Sequence, residues 1–246
     1  MRLSKRVSIV GSGNNGLRLT DPLDCNVYIV DCGSGLLMID TGVGIEPSSI
    51  VSQIDEDGYK LTDIKWIVLT HAHADHVGGT HFFSSATGAK VYADPHEASV
   101  LGNAQLLRDT MCQYVNAGFY PPGYEMKPVI CNYELKNNEK VVFGDLTFTC
   151  FIAPGHTGGG LCLYSEIDGY KTLFTGDVVF WNGYINLISI FDVDLLRYKN
   201  SIERLSALDV DRLYAGHLQP VMSHANEDIE KAMHKFRNFS VPPSIC

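Results

Sequence analysis

The feature that most constrains this chain is the segment Thr70–Gly79, which reads THAHADHVGG. It places three histidines and one aspartate between His71 and His76. The preceding run, Asp63–Leu69, is largely apolar and partly β-branched, which predicts a strand that ends in a loop. Imidazole and carboxylate groups at one strand end can converge on a small volume, where a metal ion offsets their negative charge. The segment therefore predicts a metal site.

Four further short motifs accompany this segment, and each lies directly after an apolar run. In chain order they are Asp40-Thr41-Gly42, Gly155-His156-Thr157, Gly176-Asp177 and Gly216-His217. Together with the histidine-rich segment, they resemble the ordered signature of the metallo-beta-lactamase superfamily from about Val27 to about Phe239. The resemblance implies an α/β fold, namely a four-layer αββα sandwich with metals in a groove along one edge of two facing sheets.

The resemblance also implies a centre of two divalent metal ions. One ion would be held by His71, His73 and His156, the other by Asp75, His76 and His217, and the bridge between them would be Asp177. A bridging carboxylate is reasonable because two neighbouring dications repel and need negative charge between them. Zinc suits such a nitrogen- and oxygen-rich set, although iron and manganese also accept imidazoles and carboxylates. Asp75 and Asp177 are in addition the candidate catalytic residues for proton relay.

Other polar residues near the motifs match no ligand position. Asp40 is predicted to orient a ligand or loop by hydrogen bonding, to initiate the turn before Gly42, or to do both. The third motif departs from the frequent family pattern, because Gly158-Gly159-Gly160 follows Thr157 and supplies no further histidine. Ordinary structural roles are predicted for the remaining histidines, His81, His96, His224 and His234.

The fourth motif separates two branches of the superfamily. Lactam-cleaving members with His-x-His-x-Asp-His lack a bridging aspartate at the position of Asp177, whereas thioesterases of the glyoxalase II type and lactonases have one. The resemblance therefore implies a di-metal hydrolase of a small carboxylic ester, lactone or thioester. In such an enzyme a metal-bridging hydroxide attacks the carbonyl carbon of a small-molecule substrate.

Two other activities remain open on the same fold. Diiron redox proteins normally carry a glutamate within the second motif, where this chain has Ala74. A metal-dependent phosphodiesterase or nuclease needs stripes of Lys and Arg to neutralise phosphates. This chain has a net charge of −9 and dispersed basic residues, so nucleic acid is not an expected partner.

Length and composition suit one enzyme domain over residues 1–246, because the chain is 45% hydrophobic and can bury a large core. No apolar run is long enough to predict a membrane span, and the basic N-terminus is not followed by a signal-peptide core. The seven cysteines are scattered and form no Cys-x-x-Cys pair, which favours a reducing cytoplasm. The sequence predicts no oligomeric state.

The segment 101–127 is predicted to be a substrate-cover insertion near the metals. It concentrates aromatic residues, among them Tyr114, Phe119, Tyr120 and Tyr124. They suit an apolar wall against an acyl or aromatic group and ordinary packing equally well. A second aromatic group, Phe180, Trp181, Tyr184 and Phe191, follows Asp177, and packing is favoured for its first two members. Tyr120 and Tyr184 are candidate donors to a developing oxyanion.

Apolar periodicity predicts the regular elements. Strands are predicted at 7–10, 26–30, 35–39, 66–69, 90–93, 140–143, 146–152, 161–165, 171–175 and 212–214. Helices are predicted at 47–54, 78–84, 96–100, 194–205 and 226–239, and none between 101 and 127.

Overall fold

The computed structural model of the chain describes residues 1–188 and 193–245. Phe191, a member of the second aromatic group, lies outside the described residues, as does Cys246. Within the described ranges the strands are Val7–Gly11 (β1), Val27–Asp31 (β2), Leu36–Ile39 (β3), Ile64–Val68 (β4), Lys90–Ala93 (β5), Tyr133–Glu134 (β6), Lys140–Phe143 (β7), Leu146–Ile152 (β8), Leu161–Ile167 (β9), Tyr170–Gly176 (β10) and Arg212–Ala215 (β11).

The α-helices of the same ranges are Pro47–Glu56 (α1), Ala74–Val77 (α2), Thr80–Thr87 (α3), Pro95–Gly102 (α4), Ala104–Asn116 (α5), Leu195–Ser206 (α6) and Ala225–Arg237 (α7). None of the helices in the described part of the chain has the length and apolar character needed to cross a membrane. The predicted strands and most predicted helices agree with these bounds to within two residues. The exception is the helix predicted at 78–84, which begins and ends later, as α3.

The strands form two mixed sheets. In the first, the order is β1-β2-β3-β4-β5-β6, antiparallel from β1 to β3 and parallel from β3 to β6. In the second, the order is β11-β10-β9-β8-β7, and only the β10–β11 pair is parallel. Strands that run in parallel end at the same edge of a sheet. The residues that follow β3 and β4, and those that follow β10 and β11, are therefore neighbours in space.

Three buried apolar clusters show how the layers stack. Tyr28 of β2 and Phe148 of β8 belong to a cluster between the two sheets. Val27 and Ile29, on the other face of β2, belong to a cluster shared with α1, α3 and α5. Leu173 of β10 packs in a third cluster, shared with α6 and α7. Because strand side chains alternate between faces, each sheet is buried on both sides. The order is helices, sheet, sheet and helices, which confirms the predicted αββα sandwich.

The helix α5 was not predicted from the sequence. Its buried residues are Leu107, Met111 and Tyr114, a spacing of four and then three that fits one face of a helix. Asn103 precedes it and accepts a hydrogen bond from the backbone N–H of Leu106, as a helix-capping residue does. Both signals are present in the sequence, but the segment 101–127 was interpreted as a substrate cover, and no helix was predicted in it.

The two sheets are joined at the edge where the motifs lie. The backbone N–H of Leu161, at the start of β9, donates to the carbonyl oxygen of Thr70 at 2.7 Å. The hydroxyl of Tyr28 donates to the carbonyl oxygen of Ala215 at 2.7 Å. The first contact ties the loop after β4 to β9, and the second ties β2 to the end of β11, so each sheet is hydrogen-bonded to the other at this edge.

Candidate metal centre

Three histidines from two loops form the first half of a polar cluster at this edge. His71 and His73 lie on the loop after β4, and His156 lies on the loop after β8. The Nδ1 atom of His73 is 3.1 Å from Nε2 of His71 and 3.0 Å from Nε2 of His156. Their ring nitrogens are close enough to bind one metal ion together.

Asp75, His76 and His217 form the second half. Asp75 and His76 lie on the short helix α2, and His217 lies just after β11. Nε2 of His217 is 3.2 Å from Oδ2 of Asp75, and Nε2 of His76 is 3.5 Å from the same oxygen. These three atoms are also close enough to share an ion.

Asp177, just after β10, contacts both halves. Its Oδ2 lies 3.6 Å from Nε2 of His156 and 3.4 Å from Nε2 of His217, and its Oδ1 lies 3.3 Å from Nε2 of His76. The structure thus brings all seven side chains singled out in the sequence into one cluster. A Cβ atom on Gly216 would lie only 2.3 Å from Oδ1 of Asp177, which explains the glycine before His217.

Asp40 orients two of the histidines by hydrogen bonding, His76 directly and His71 through Thr70. Its Oδ2 accepts hydrogen bonds from Nδ1 of His76 and from the Thr70 hydroxyl, both at 2.8 Å. Because the Thr70 hydroxyl donates to Asp40, it is left to accept from Nδ1 of His71, 3.1 Å away. Nδ1 of both rings is thereby engaged as a donor on the outer side, which leaves Nε2 of each ring facing the cluster. Asp40 also has a left-handed φ of 59°, so it is both an orienting residue and a turn residue.

Asn186 connects two cluster residues and was missed by the sequence reasoning. Its carbonyl oxygen accepts from Nδ1 of His156 at 2.9 Å, and its side-chain amide donates to Oδ2 of Asp177 at 2.8 Å. The hydroxyl of Tyr198, on α6, donates to the carbonyl oxygen of Asp177 at 2.6 Å. Neither Asn186 nor Tyr198 belongs to a motif or a recognisable spacing, so no sequence signal marks them as neighbours of the cluster.

The two halves of the cluster differ in charge. Burial lowers the pKa of His71, of His156 and of His73, the last to about 4, so these imidazoles are neutral at pH 7. Burial also disfavours the charged form of His217, but the nearby carboxylates outweigh it and raise its pKa to about 9. A metal ion bound to His217 must displace that proton, because only the neutral ring is a ligand.

Two buried atoms test whether these residues fit a metal ion. Nε2 of His76 and Oδ1 of Asp177 have no hydrogen-bond partner among the described residues, although they lie 3.3 Å apart. Buried polar atoms are nearly always paired, and a cation here would satisfy both. Imidazole nitrogens with carboxylate oxygens suit zinc, and also iron or manganese. The side chains therefore fit the metal centre that the sequence resemblance implies.

A pocket of about 120 Å³ opens onto the second half of the cluster, and Asp75, His217, Phe119 and Tyr120 are part of its lining. The hydroxyl of Tyr120 donates to Oδ1 of Asp75 at 3.1 Å. The hydroxyl of Tyr114, on α5, lies 3.4 Å from Nε2 of His73. The segment 101–127 therefore places aromatic side chains directly against the cluster.

Phe180, Trp181 and Tyr184 of the second aromatic group and the remaining histidines are not part of this pocket's lining. Phe180 is fully buried, with its ring centre 6.2 Å from that of His217, as the packing prediction requires. Trp181 is 41% exposed and stacks on Tyr184. Four histidines are exposed and stand apart from the cluster, namely His81, His96, His224 and His234.

Comparison with known proteins agrees with this arrangement. A family model described as the metallo-beta-lactamase superfamily matches residues 20–217. The hydroxyacylglutathione hydrolase of Maricaulis maris is 30% identical over 169 residues, which cover 68% of this chain and 52% of that protein. The acyl-coenzyme A thioesterase MBLAC2 of Gallus gallus is 27% identical over 201 residues, which cover 76% of this chain and 68% of that protein.

Among solved structures, a metallo-beta-lactamase of Cronobacter sakazakii with a HARLDQ motif superposes with a TM-score of 0.74. It is 18% identical, and the match covers 97% of this chain and 96% of that one, so the likeness supports the fold alone. The chain spans about half the length of the Maricaulis maris relative. Because the family model covers most of the chain and includes all five motifs, the chain belongs to the metallo-beta-lactamase superfamily.

Proposed function

We propose that the chain is a di-metal hydrolase that cleaves a small carboxylic ester, lactone or thioester. The observation that carries the proposal is the position of Asp177, whose two oxygens contact both halves of the histidine cluster. The names of two relatives, a hydroxyacylglutathione hydrolase and an acyl-coenzyme A thioesterase, favour a thioester among the three substrate classes.

In the proposed reaction, the residues of the protein bind the metal ions and transfer protons. When bound, two divalent cations, most simply zinc, activate a water molecule as nucleophile and polarise the scissile carbonyl. One ion would be held by His71, His73 and His156, the other by Asp75, His76 and His217, and both by Asp177. Asp75 has Oδ2 in the cluster and Oδ1 held by the Tyr120 hydroxyl. It is therefore placed to accept a proton beside the pocket and pass it to the leaving group.

The pocket supports a small substrate that enters beside Asp75 and His217. Phe119 and Tyr120 give one side of it an aromatic surface that suits the apolar part of an acyl group. Their origin in the segment after α5 supports the role of 101–127 as a substrate cover. A volume of about 120 Å³ admits a short acyl group, whereas a bulky leaving group must extend into solvent.

The proposal is tested by metal analysis of reconstituted protein together with a panel of chromogenic esters, lactones and thioesters. The expected result is two metal ions per chain and turnover of at least one of the three classes, lost on chelation and restored by zinc. Fewer than one metal ion per chain would contradict it. Hydrolysis of bis-p-nitrophenyl phosphate in clear preference to every carboxylic substrate would favour a phosphodiesterase instead.

A further inference from the structure

We propose that Glu97 is a positioning residue that fixes the distance between the loop of His71 and His73 and the loop of His156. Glu97 lies on α4 and is not among the residues that match the family motifs. The inference rests on the proposed function, because that distance matters only if these three histidines bind one metal ion.

The carboxylate of Glu97 bridges the two loops directly. Its Oε2 accepts a hydrogen bond at 2.9 Å from the backbone N–H of Ala72, the residue between His71 and His73. Its Oε1 accepts from the hydroxyl of Thr157 at 2.7 Å and from the backbone N–H of Gly159 at 3.0 Å. One side chain therefore binds the residue between two histidines of the first half and the residue next to the third.

The same contact explains the glycine at position 159. A Cβ atom on Gly159 would lie 2.5 Å from Oδ1 of Asp94 and 2.8 Å from Oε1 of Glu97. Asp94 caps α4 through the backbone N–H groups of His96 and Glu97, and it also accepts from the N–H of Gly160 at 3.2 Å. The backbone of this loop can approach both carboxylates closely only because side chains are absent there.

Glu97 is suited to act as a rigid link because its carboxylate is 1% exposed and ionised. Burial raises its pKa, but hydrogen bonds from His96 and Thr157 outweigh burial and leave the pKa below its usual value. A buried charge that lost these donors would be strongly destabilised. Separating the two loops would therefore cost free energy, because it would remove hydrogen-bond donors from the buried carboxylate of Glu97.

The arrangement of ring nitrogens in the first half of the cluster explains why its two loops must be held together by another residue. His71 and His156 each donate Nδ1–H to a partner on the outer side and direct an Nε2 lone pair toward His73. Nδ1 of neutral His73 can donate to at most one of these two Nε2 atoms, so at least one pair of lone pairs about 3 Å apart repels when no cation lies between them. Glu97 opposes that repulsion from outside the cluster, without touching a ligand atom.

The test is a stepwise zinc titration of the metal-free protein against a competing chelator, for wild type and Glu97→Gln. In the variant, the amide NH₂ must face either the Ala72 N–H or the Thr157 and Gly159 donors, so one loop is released. One of the two dissociation constants should rise about tenfold to a hundredfold while the other stays unchanged. Cobalt absorption spectra of the same proteins should show an altered environment for one ion only.

Matched variants separate positioning from general destabilisation. Thr157→Val removes one donor to Glu97 and should weaken the same ion to a smaller degree, whereas Thr157→Ser keeps the hydroxyl and should restore wild-type binding. Ile229→Val shortens a buried side chain on α7, a helix that contributes none of the printed contacts of Glu97. It should lower the unfolding temperature of the metal-free protein and leave both dissociation constants unchanged.

The outcomes are distinct. If Glu97→Gln keeps both wild-type constants, or weakens both ions equally along with thermal stability, the positioning role is wrong and the proposed function stands. If Glu97→Gln does not fold, the comparison of Thr157→Val with Thr157→Ser decides, and equal zinc binding by the two would overturn the inference. If the wild-type chain binds no metal, the proposed function fails and the inference fails with it.

Discussion

The cluster is held by two sets of residues that are built differently. The buried support consists of Asp40, Glu97, Asn186 and Tyr198, and the aromatic rim consists of Tyr114, Phe119 and Tyr120. Each member of the buried support is at most 6% exposed and is hydrogen-bonded to a cluster residue or to the backbone beside one. The rim is less uniform, because Tyr114 is only 6% exposed whereas Phe119 is 40% exposed at the pocket.

The difference indicates which contacts fix the cluster and which can vary. The buried support comes from the residue after β3, from α4 and α6, and from Asn186 between β10 and α6, so it ties the ligands to both sheets. The rim comes from α5 and the loop after it, and its two hydroxyls approach His73 and Asp75. Changes in the support should therefore alter metal binding, whereas changes in the rim should alter substrate use.

The largest effect is expected at Asp177, on which both halves depend. Asp177→Ala should weaken one of the two metal ions and lower kcat/KM by several orders of magnitude, because the two cations lose their shared carboxylate. Metal content and turnover are measured on one preparation, with Asp209→Asn, an exposed aspartate far along the chain, as control. Two-metal occupancy with full turnover in Asp177→Ala would show that this residue only forms a turn.

Asp24 lines the pocket like a rim residue but is buried like the support. Burial raises its pKa to about 6, while hydrogen bonds from Thr20 and Val43 partly oppose the shift. An acid with a raised pKa stabilises the fold below its unfolded pKa of about 4, and this stability is lost as pH rises through 6. As the pH rises from 4 to 7, wild type should therefore lose up to ~3 kcal/mol of its free energy of unfolding relative to Asp24→Asn, which carries no titrating group at this position.

Urea unfolding of the metal-free proteins at several pH values measures this difference. Asp63→Asn, at an exposed position, serves as the control and should track wild type throughout. A constant offset between Asp24→Asn and wild type across pH 4 to 7 would show that Asp24 titrates normally.

Asp40→Asn tests the buried support. The amide would place an NH₂ group against a donor, either the His76 ring or the Thr70 N–H and hydroxyl. The ion bound by Asp75, His76 and His217 should weaken about tenfold to a hundredfold, with little change in KM. Zinc titration measures the affinity, and a variant that changed KM but kept both affinities would assign Asp40 to the substrate side.

Tyr120→Phe tests the aromatic rim. It removes the hydroxyl that donates to Asp75 but keeps the ring that lines the pocket. Metal content should stay at the wild-type level and kcat/KM should fall about tenfold, the effect of losing one hydrogen bond to a charged group. Loss of a metal ion in this variant would show that a rim residue also controls metal binding, which contradicts the proposed difference between the rim and the support.

The smallest effect is expected for Phe119→Ala. Because Phe119 is 40% exposed, the free energy of unfolding should change by no more than about 0.5 kcal/mol. KM should rise severalfold for substrates with an apolar acyl group and stay constant for acetyl substrates. Equal KM changes for both substrate types would indicate that Phe119 does not contact the acyl group.

The sequence predicted those parts of the site that follow strands. Asp177 and His217 come after apolar runs, and such runs place their last residues at a sheet edge. The strand positions were accurate for the same reason. The helix α5 was missed although Leu107, Met111 and Tyr114 have helical spacing, because the segment 101–127 was interpreted from its aromatic residues as a substrate cover.

The buried support was less predictable than the ligands. Glu97 lies 25 residues from Ala72 and 60 from Thr157, and no periodic pattern connects positions that far apart. Asn186 acts partly through its backbone carbonyl, which any residue type has. Contacts of this kind depend on how the loops pack after the sheets form, so they require the folded structure.

The most direct measurement is anomalous diffraction at the zinc edge from crystals of the reconstituted protein. Two peaks are expected on either side of the Asp177 carboxylate, one beside His71, His73 and His156 and the other beside Asp75, His76 and His217. Such a pair would establish a shared carboxylate between two ions. A single peak, or none within reach of Asp177, would contradict the two-metal centre on which the proposed hydrolysis depends.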